Sequence, residues 1–409
     1  MRILHTADWH IGQTLNGWTR DTEHEAFLRR LPDLVDAHRA DALVVAGDVF
    51  DGVNPSAESM RMLYEALAAL RARHPRLITV MVAGNHDPAG RLEAPAALFR
   101  AIGVHVVGVV HRRAGALDLD RHLVPLPGPT GAIEAYCLAV PFLRAADLPG
   151  LGQAVDGDGS PVVAATRRVY AEAVASALDR VGRLPLIATG HLHCTGALES
   201  VGAERRILIG GEHAVPHDIF PDALAYVALG HLHKPQQVGR AHVRYAGAPF
   251  PLSATELGYD HGVTLVDVAA VSARTEHIPV SRSVPCLRLP EAGSVTPAQL
   301  ADAVAALALD PECPRDTQPL VHVVIRPDGP AAGLAGEVQR LLEAHPLRCA
   351  GVKIERPAAA AGEAVPAPAI SLAECDPADL FAQAFEAAHA TPPGPEHRSA
   401  FEDIRTEAA

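Results

Sequence analysis

Short apolar runs recur through the first two thirds of the chain, and polar residues of one chemical kind close each of them. The runs at 2–6 (RILHT), 43–46 (LVVA), 77–83 (LITVMVA), 186–189 (LIAT) and 225–229 (AYVAL) have strand length, and most are rich in β-branched residues. Helix-period patterns near 21–38, 56–73, 93–101 and 161–181 lie between them, with a further strand at 104–108. That alternation predicts an α/β fold. Residues 109–145 read as a strand meander with Pro- and Gly-rich turns. Residues 148–159 read as a loop, and shorter strand patterns follow at 205–210, 242–246 and 262–268.

Near Ser281 the character changes. Segments 284–289, 297–308, 320–326, 332–344 and 347–355 alternate as β-α-β-α-β, a small module of its own. A low-complexity stretch, PAAAAGEAVPAPA, then reads as a linker. Asp376-Pro377 offers a helix cap with proline at the first helical position. Beyond it Leu380, Phe381, Ala384, Phe385 and Ala388 share one helical face, which suits either docking to a partner or packing on its own chain. The expected organisation is a main domain at 1–280, an α+β module at 281–356, a linker at 357–370 and a helical segment at 371–409.

Composition adds limits. Hydrophobic residues make up 48% and charged residues 20%, with no apolar run of membrane-spanning length, so a cytoplasmic protein is expected. Six cysteines stand singly, which predicts reduced thiols. The net charge of −13 argues against nucleic-acid binding through a broad basic surface; metal ions and a partner would have to supply that attraction.

The residues that close the apolar runs carry the chemistry. They are Asp8-Trp9-His10, Gly47-Asp48, Gly84-Asn85-His86-Asp87, Gly190-His191 and Gly230-His231-Leu232-His233. Ligands of open α/β sheets bind at the carboxyl ends of the strands, so these clusters are expected to converge there. Asp8 and His10, like His231 and His233, are two apart and would share a face on an extended strand end. Asp48 suits a bridging carboxylate, Asn85 offers a neutral oxygen and His191 another nitrogen. A set of Asp, His and Asn without thiolate suits Mn²⁺, and accommodates Fe²⁺ or Zn²⁺. Two divalent ions against Asp8 and Asp48 leave the site about two charges positive, ready for a phosphate. Such a pair can assist an in-line displacement at phosphorus. His86 is free to contact a phosphate oxygen or protonate the leaving oxygen, and Asp87 could fix its tautomer. His193 is read as structural.

These clusters resemble the calcineurin-like metallophosphoesterase superfamily, and more closely its SbcD nuclease family. The closer likeness lies in His5-Thr6-Ala7-Asp8-Trp9-His10-Ile11-Gly12-Gln13, in Tyr226-Val227-Ala228-Leu229-Gly230-His231-Leu232-His233-Lys234 and in Val243-Arg244-Tyr245-Ala246-Gly247-Ala248-Pro249. It is strong over about 1–268 and a matter of layout beyond 281. The resemblance implies a four-layer sandwich of two mixed sheets flanked by helices, a small α+β capping domain and a C-terminal helical tail. It implies Asp8, His10 and His233 on one Mn²⁺, Asn85, His191 and His231 on the other, Asp48 bridging, and His86 catalytic. Asp51 stands where some archaeal relatives carry a second histidine, a departure that puts a direct catalytic role at 51 in doubt. The implied activity is DNA exonuclease and endonuclease cleavage of double-stranded ends, hairpins and single strands. Implied partners are an SbcC-type ATPase bound by the C-terminal segment and a second copy of the chain, giving a homodimer and a heterotetramer with the ATPase. A stand-alone phosphoesterase on small nucleotides shares the clusters, but leaves the module, linker and terminal helix without a role.

Overall fold

The computed structural model describes residues 1–148, 160–200, 214–270, 272–328, 333–355, 377–389 and 391–408. They fall into two compact units, Met1–Glu355 and Arg356–Ala409. Two six-stranded sheets dominate the first. One runs in the order Ser272–Pro279, Gly262–Ala269, Arg2–Thr6, Ala42–Ala46, Ile78–Val82, Val104–Val107. Its last four strands are parallel, while the first two form an antiparallel hairpin against Arg2–Thr6. The second has the order Gln236–Val238, Arg240–Tyr245, Tyr226–Gly230, Leu186–His191, Ile133–Leu138, Leu123–Pro127, parallel at its centre and antiparallel at both edges.

Strand alternation explains the stacking. In Ala42–Ala46, Ala42 and Val44 face inward with Ile3, Val80 and Val82, meeting Leu126, Cys137, Ile187 and Ala228 of the second sheet. Leu43 and Val45 face the other way, onto Leu28, Leu31, Leu63 and Leu67 of the helices Asp21–His38 and Ala57–Arg73. On the far side Leu138, Ala188 and Val227 pack against Tyr170, Val174 and Ala177 of Pro161–Val181. Both faces of the central strands are therefore apolar, which is why they read as nearly unbroken apolar runs. The result is four layers: helices, sheet, sheet, helix. Truncating one of these interior leucines to alanine costs about 2–5 kcal/mol.

The single helix expected at 93–101 is two, Ala89–Glu93 and Ala96–Ala101, because Pro95 cannot continue the first. The strand expected at 205–210 and the linker at 357–370 lie outside the described residues.

The β-α-β-α-β module forms a three-stranded parallel sheet, Cys286–Leu289, Leu320–Ile325 and Arg348–Ile354. Helices Pro297–Ala305 and Leu334–Glu343 cover one face through Leu300, Val304, Val338 and Leu342. A small hairpin, Thr14–Leu15 with Trp18–Thr19, meets the other face. There Asn16 Nδ2 and Trp18 Nε1 both donate to the carbonyl of Cys349, at 3.0 and 2.9 Å. The guanidinium groups of Arg315 and Arg348 lie 4.9 and 5.9 Å from the Trp18 ring centroid.

In the second unit the helices Pro377–His389 and Pro395–Ala408 pair through aromatic rings. Phe381 stacks on Phe401 with centroids 4.5 Å apart, and Phe385 lies 4.7 Å from His397. Part of the apolar face read from sequence is thus covered by this chain's own second helix. No helix among the described residues is long and apolar enough to cross a membrane.

Candidate metal centre

The five clusters meet where the two sheets present their carboxyl ends. Gly190-His191 still belong to the strand Leu186–His191, but several of the other positions are not extended. Among the described residues eight non-glycine positions have positive φ, and four of them are Asp8 (55°), His10 (48°), Asp48 (49°) and His231 (100°). The expectation that Asp8/His10 and His231/His233 share a face by strand alternation is therefore corrected: positive-φ backbone at Asp8 and His10 brings that pair together, while His231 and His233 fall in different donor groups. Asp8 N donates to the Gly47 carbonyl and His10 N to that of Asp48, both at 3.0 Å, locking the two loops edge to edge. Asp and His tolerate this backbone region better than most residues, and such strain tends to collect at functional sites. Close approach does the rest. A Cβ on Gly84 would lie 2.1 Å from Asp48 Oδ1, and one on Gly47 2.2 Å from His191 Nδ1.

Two groups of donors result. Asp8, His10 and His233 form one, with ligand atoms within 4.8 Å of one another, and Asp48, His191 and His231 form another. Asn85 joins the second: its Oδ1 lies 2.9 Å from His191 Nε2 and 3.2 Å from His231 Nδ1. Asp48 stands between them, Oδ2 being 3.2 Å from His191 Nε2 and 3.6 Å from His10 Nε2. All the candidate ligands except Asn85 are buried. His10, Asp48 and His86 make a third, overlapping group.

Burial raises the pKa of Asp8. At Asp48 burial works the same way, yet His191, His10 and His86 hold its carboxyl well below the usual range. His191, despite burial, is pushed up to about 9 by Asp48 and then Asp8. Burial keeps His231 and His86 below the ordinary histidine value. Asp8 Oδ2 and His10 Nε2 are buried without any hydrogen-bond partner. An unpaired buried acceptor is costly, whereas a cation relieves both at once. The donor set, oxygen and imidazole nitrogen without sulfur, fits divalent metal ions.

His86 is half-buried, its ring 4.7 Å from that of His10. Its backbone N–H donates to Asp48 Oδ1 at 2.8 Å, and its Nδ1 donates to the carbonyl of Asp51, also at 2.8 Å. That leaves Nε2 for other work. The tautomer-fixing role expected of Asp87 is thus corrected. Its carboxylate accepts the backbone N–H groups of Gly84, Val49 and Phe50 at 2.7, 3.1 and 2.8 Å, and it holds the loops rather than the imidazole. His193 stands apart from the donor groups, 3.1 Å from Glu199.

Sequence reasoning named Asp51 without its contact to His10, and missed Glu256 altogether. Asp51 Oδ1 accepts from His10 Nδ1 at 3.1 Å, and Glu256 Oε1 accepts from His233 Nδ1 at 2.9 Å. Glu256 sits in an ordinary polar stretch, Ser253-Ala254-Thr255-Glu256, so nothing local marks it.

Residues 1–235 match the calcineurin-like phosphoesterase family, and 287–389 match the family described as type 5 capsule protein repressor C-terminal domain. The chain is 55% identical to the SbcD component of the SbcCD nuclease of Rhodobacter capsulatus, over 94% of each chain. It is 36% identical to the corresponding SbcCD nuclease component of Escherichia coli K12, over 70% of this chain and 71% of the other. To that of Bacillus subtilis it is also 36% identical, over 65% and 66%. The geometry and these likenesses agree: the chain belongs to the calcineurin-like phosphoesterase family, among the SbcD nucleases.

Proposed function

We propose that this protein is a Mn²⁺-dependent DNA nuclease, an exonuclease and endonuclease that hydrolyses phosphodiesters with two metal ions. The observation that carries this reading is the pair of donor groups with Asp48 standing between them, and with Asp8 Oδ2 and His10 Nε2 buried and unsatisfied. Asp8, His10 and His233 would hold one ion, Asn85, His191 and His231 the other, and Asp48 both. The bound ions supply Lewis-acid activation and neutralise charge on the phosphate. His86, anchored through Nδ1, offers Nε2 to a phosphate oxygen or the leaving oxygen. Asp87 keeps the loops of Asp48 and Asn85 in place.

Residues 1–280 would form the nuclease domain and 281–356 a cap that helps present DNA. The segment 371–409, behind a linker at 357–370, would dock on an SbcC-type ATPase, with two copies of each protein in the complex. The names of the similar proteins support a nuclease that works in such a complex. A protein of this kind would act in DNA repair in the cytoplasm, at the nucleoid. The purified chain should cut blocked-end linear and hairpin DNA with Mn²⁺ and lose that activity with a chelator. Hydrolysis of small phosphoesters alone, even with the ATPase present, would overturn the reading.

A further inference from the structure

The two candidate ion positions stand on different supports. At the first, both imidazoles donate their Nδ1–H to a carboxylate: His10 to Asp51 at 3.1 Å and His233 to Glu256 at 2.9 Å. Glu256 is fully buried and is itself held, Oε1 accepting from the Ser253 hydroxyl at 3.1 Å and Oε2 from Leu252 N–H at 2.8 Å. At the second position His191 Nδ1 donates to a backbone carbonyl, that of Ala46, at 2.9 Å. Asn85 there contributes a neutral amide oxygen.

A carboxylate behind an imidazole fixes the Nδ1–H tautomer, aims Nε2 and makes that nitrogen the stronger donor. A carbonyl aims the ring but carries no net charge. Charge adds to this. Asp8 belongs to the first donor group, with Asp51 and Glu256 behind its imidazoles, whereas Asp48 is the only carboxylate of the second donor group and a carbonyl stands behind His191. Resting on the ligand grouping proposed above, we infer that Asp51 and Glu256 are positioning residues. They make the Asp8–His10–His233 position the tighter of the two, so that it fills first and keeps its ion after the other has emptied. Asp51 therefore acts through its side chain on His10, while its backbone carbonyl separately anchors His86.

The test is a titration of the full chain with Mn²⁺ alone, followed by calorimetry and by the electron paramagnetic resonance of unbound Mn²⁺. The wild type is expected to show two separable steps. His10→Asn should abolish the tighter step and Asn85→Ala the weaker. Asp51→Asn and Glu256→Gln should each weaken the tighter step about 10- to 100-fold and leave the weaker step in place. Asp51→Glu, which restores the charge, should recover part of the loss. Superimposable isotherms for wild type, Asp51→Asn and Glu256→Gln would overturn the inference, as would losses confined to the weaker step. A wild type that binds no Mn²⁺, or His10 and Asn85 variants that keep both steps, would instead overturn the ligand grouping. Because Glu256 is buried, melting temperatures accompany the titrations. If Glu256→Gln fails to fold, Asp51→Asn, at a half-exposed side chain, decides the question.

Discussion

His86 Nδ1 donates to the backbone carbonyl of Asp51, 2.8 Å away, and not to the carboxylate of its neighbour Asp87. Anchoring by a main-chain atom keeps the imidazole in place whatever side chain stands at 51. His86→Ala is accordingly expected to bind Mn²⁺ as the wild type does and to lose turnover by about 10²- to 10⁴-fold. Calorimetry alongside a single-turnover DNA cleavage assay checks this. Full turnover in His86→Ala would remove the residue from the reaction.

Gly84→Ala should disable the centre without touching a ligand. The added Cβ would lie 2.1 Å from Asp48 Oδ1 and 2.4 Å from Asp48 N, so the Asp48 turn has to move. Mn²⁺ binding and cleavage should both fall at least tenfold, while the far-ultraviolet circular dichroism stays that of the wild type. Wild-type metal affinity in this variant would show that the loop yields freely.

His5 supplies a pH dependence away from the candidate ligands. Burial, then the charge of Arg244, lowers its pKa to about 3, so it is neutral in the fold. Unfolded, it takes a proton near pH 6.5. Between those values the unfolded chain binds the extra proton, so stability is complete above about pH 6.5 and drains as pH falls toward 3. The contribution is about 1.4 kcal/mol per pH unit inside that window. Urea unfolding at pH 7.5 and 5 should therefore show a smaller pH difference for His5→Gln than for the wild type. Equal differences would refute it.

Trp18 ties the hairpin to the module at 286–354 by a hydrogen bond and two cation contacts. Trp18→Ala should lose on the order of 2 kcal/mol from those terms combined. The loss should appear as faster hydrogen exchange in Arg348–Ile354 than in Ala42–Ala46. Uniform acceleration across both strands would point to general destabilisation instead.

Much of this molecule is legible in the sequence because its central strands are buried on both faces. Ala42–Ala46 is an unbroken apolar run and Ile78–Val82 is broken only by the buried Thr79, so whatever polar residue ends such a run stands out. The edge strand Ser272–Pro279 escapes notice for the opposite reason. Its alternation is mostly polar and half-exposed, so no apolar run marks it. Asp87 misleads because adjacency in sequence suggests a contact that the turn forbids. Asp51 and Glu256 act on histidines 41 and 23 positions away, a distance that no local pattern encodes.

The left-handed backbone at Asp8, His10, Asp48 and His231 restricts how this centre can drift. Most side chains are disfavoured there, and asparagine and glycine are among the few that sit comfortably. A lineage that abandons metal chemistry is then expected to replace these four positions first with asparagine or glycine, keeping its turns long after its ligands are gone. The same constraint makes Asp→Asn the clean laboratory exchange at positions 8 and 48, since alanine would alter the loop and the donor together.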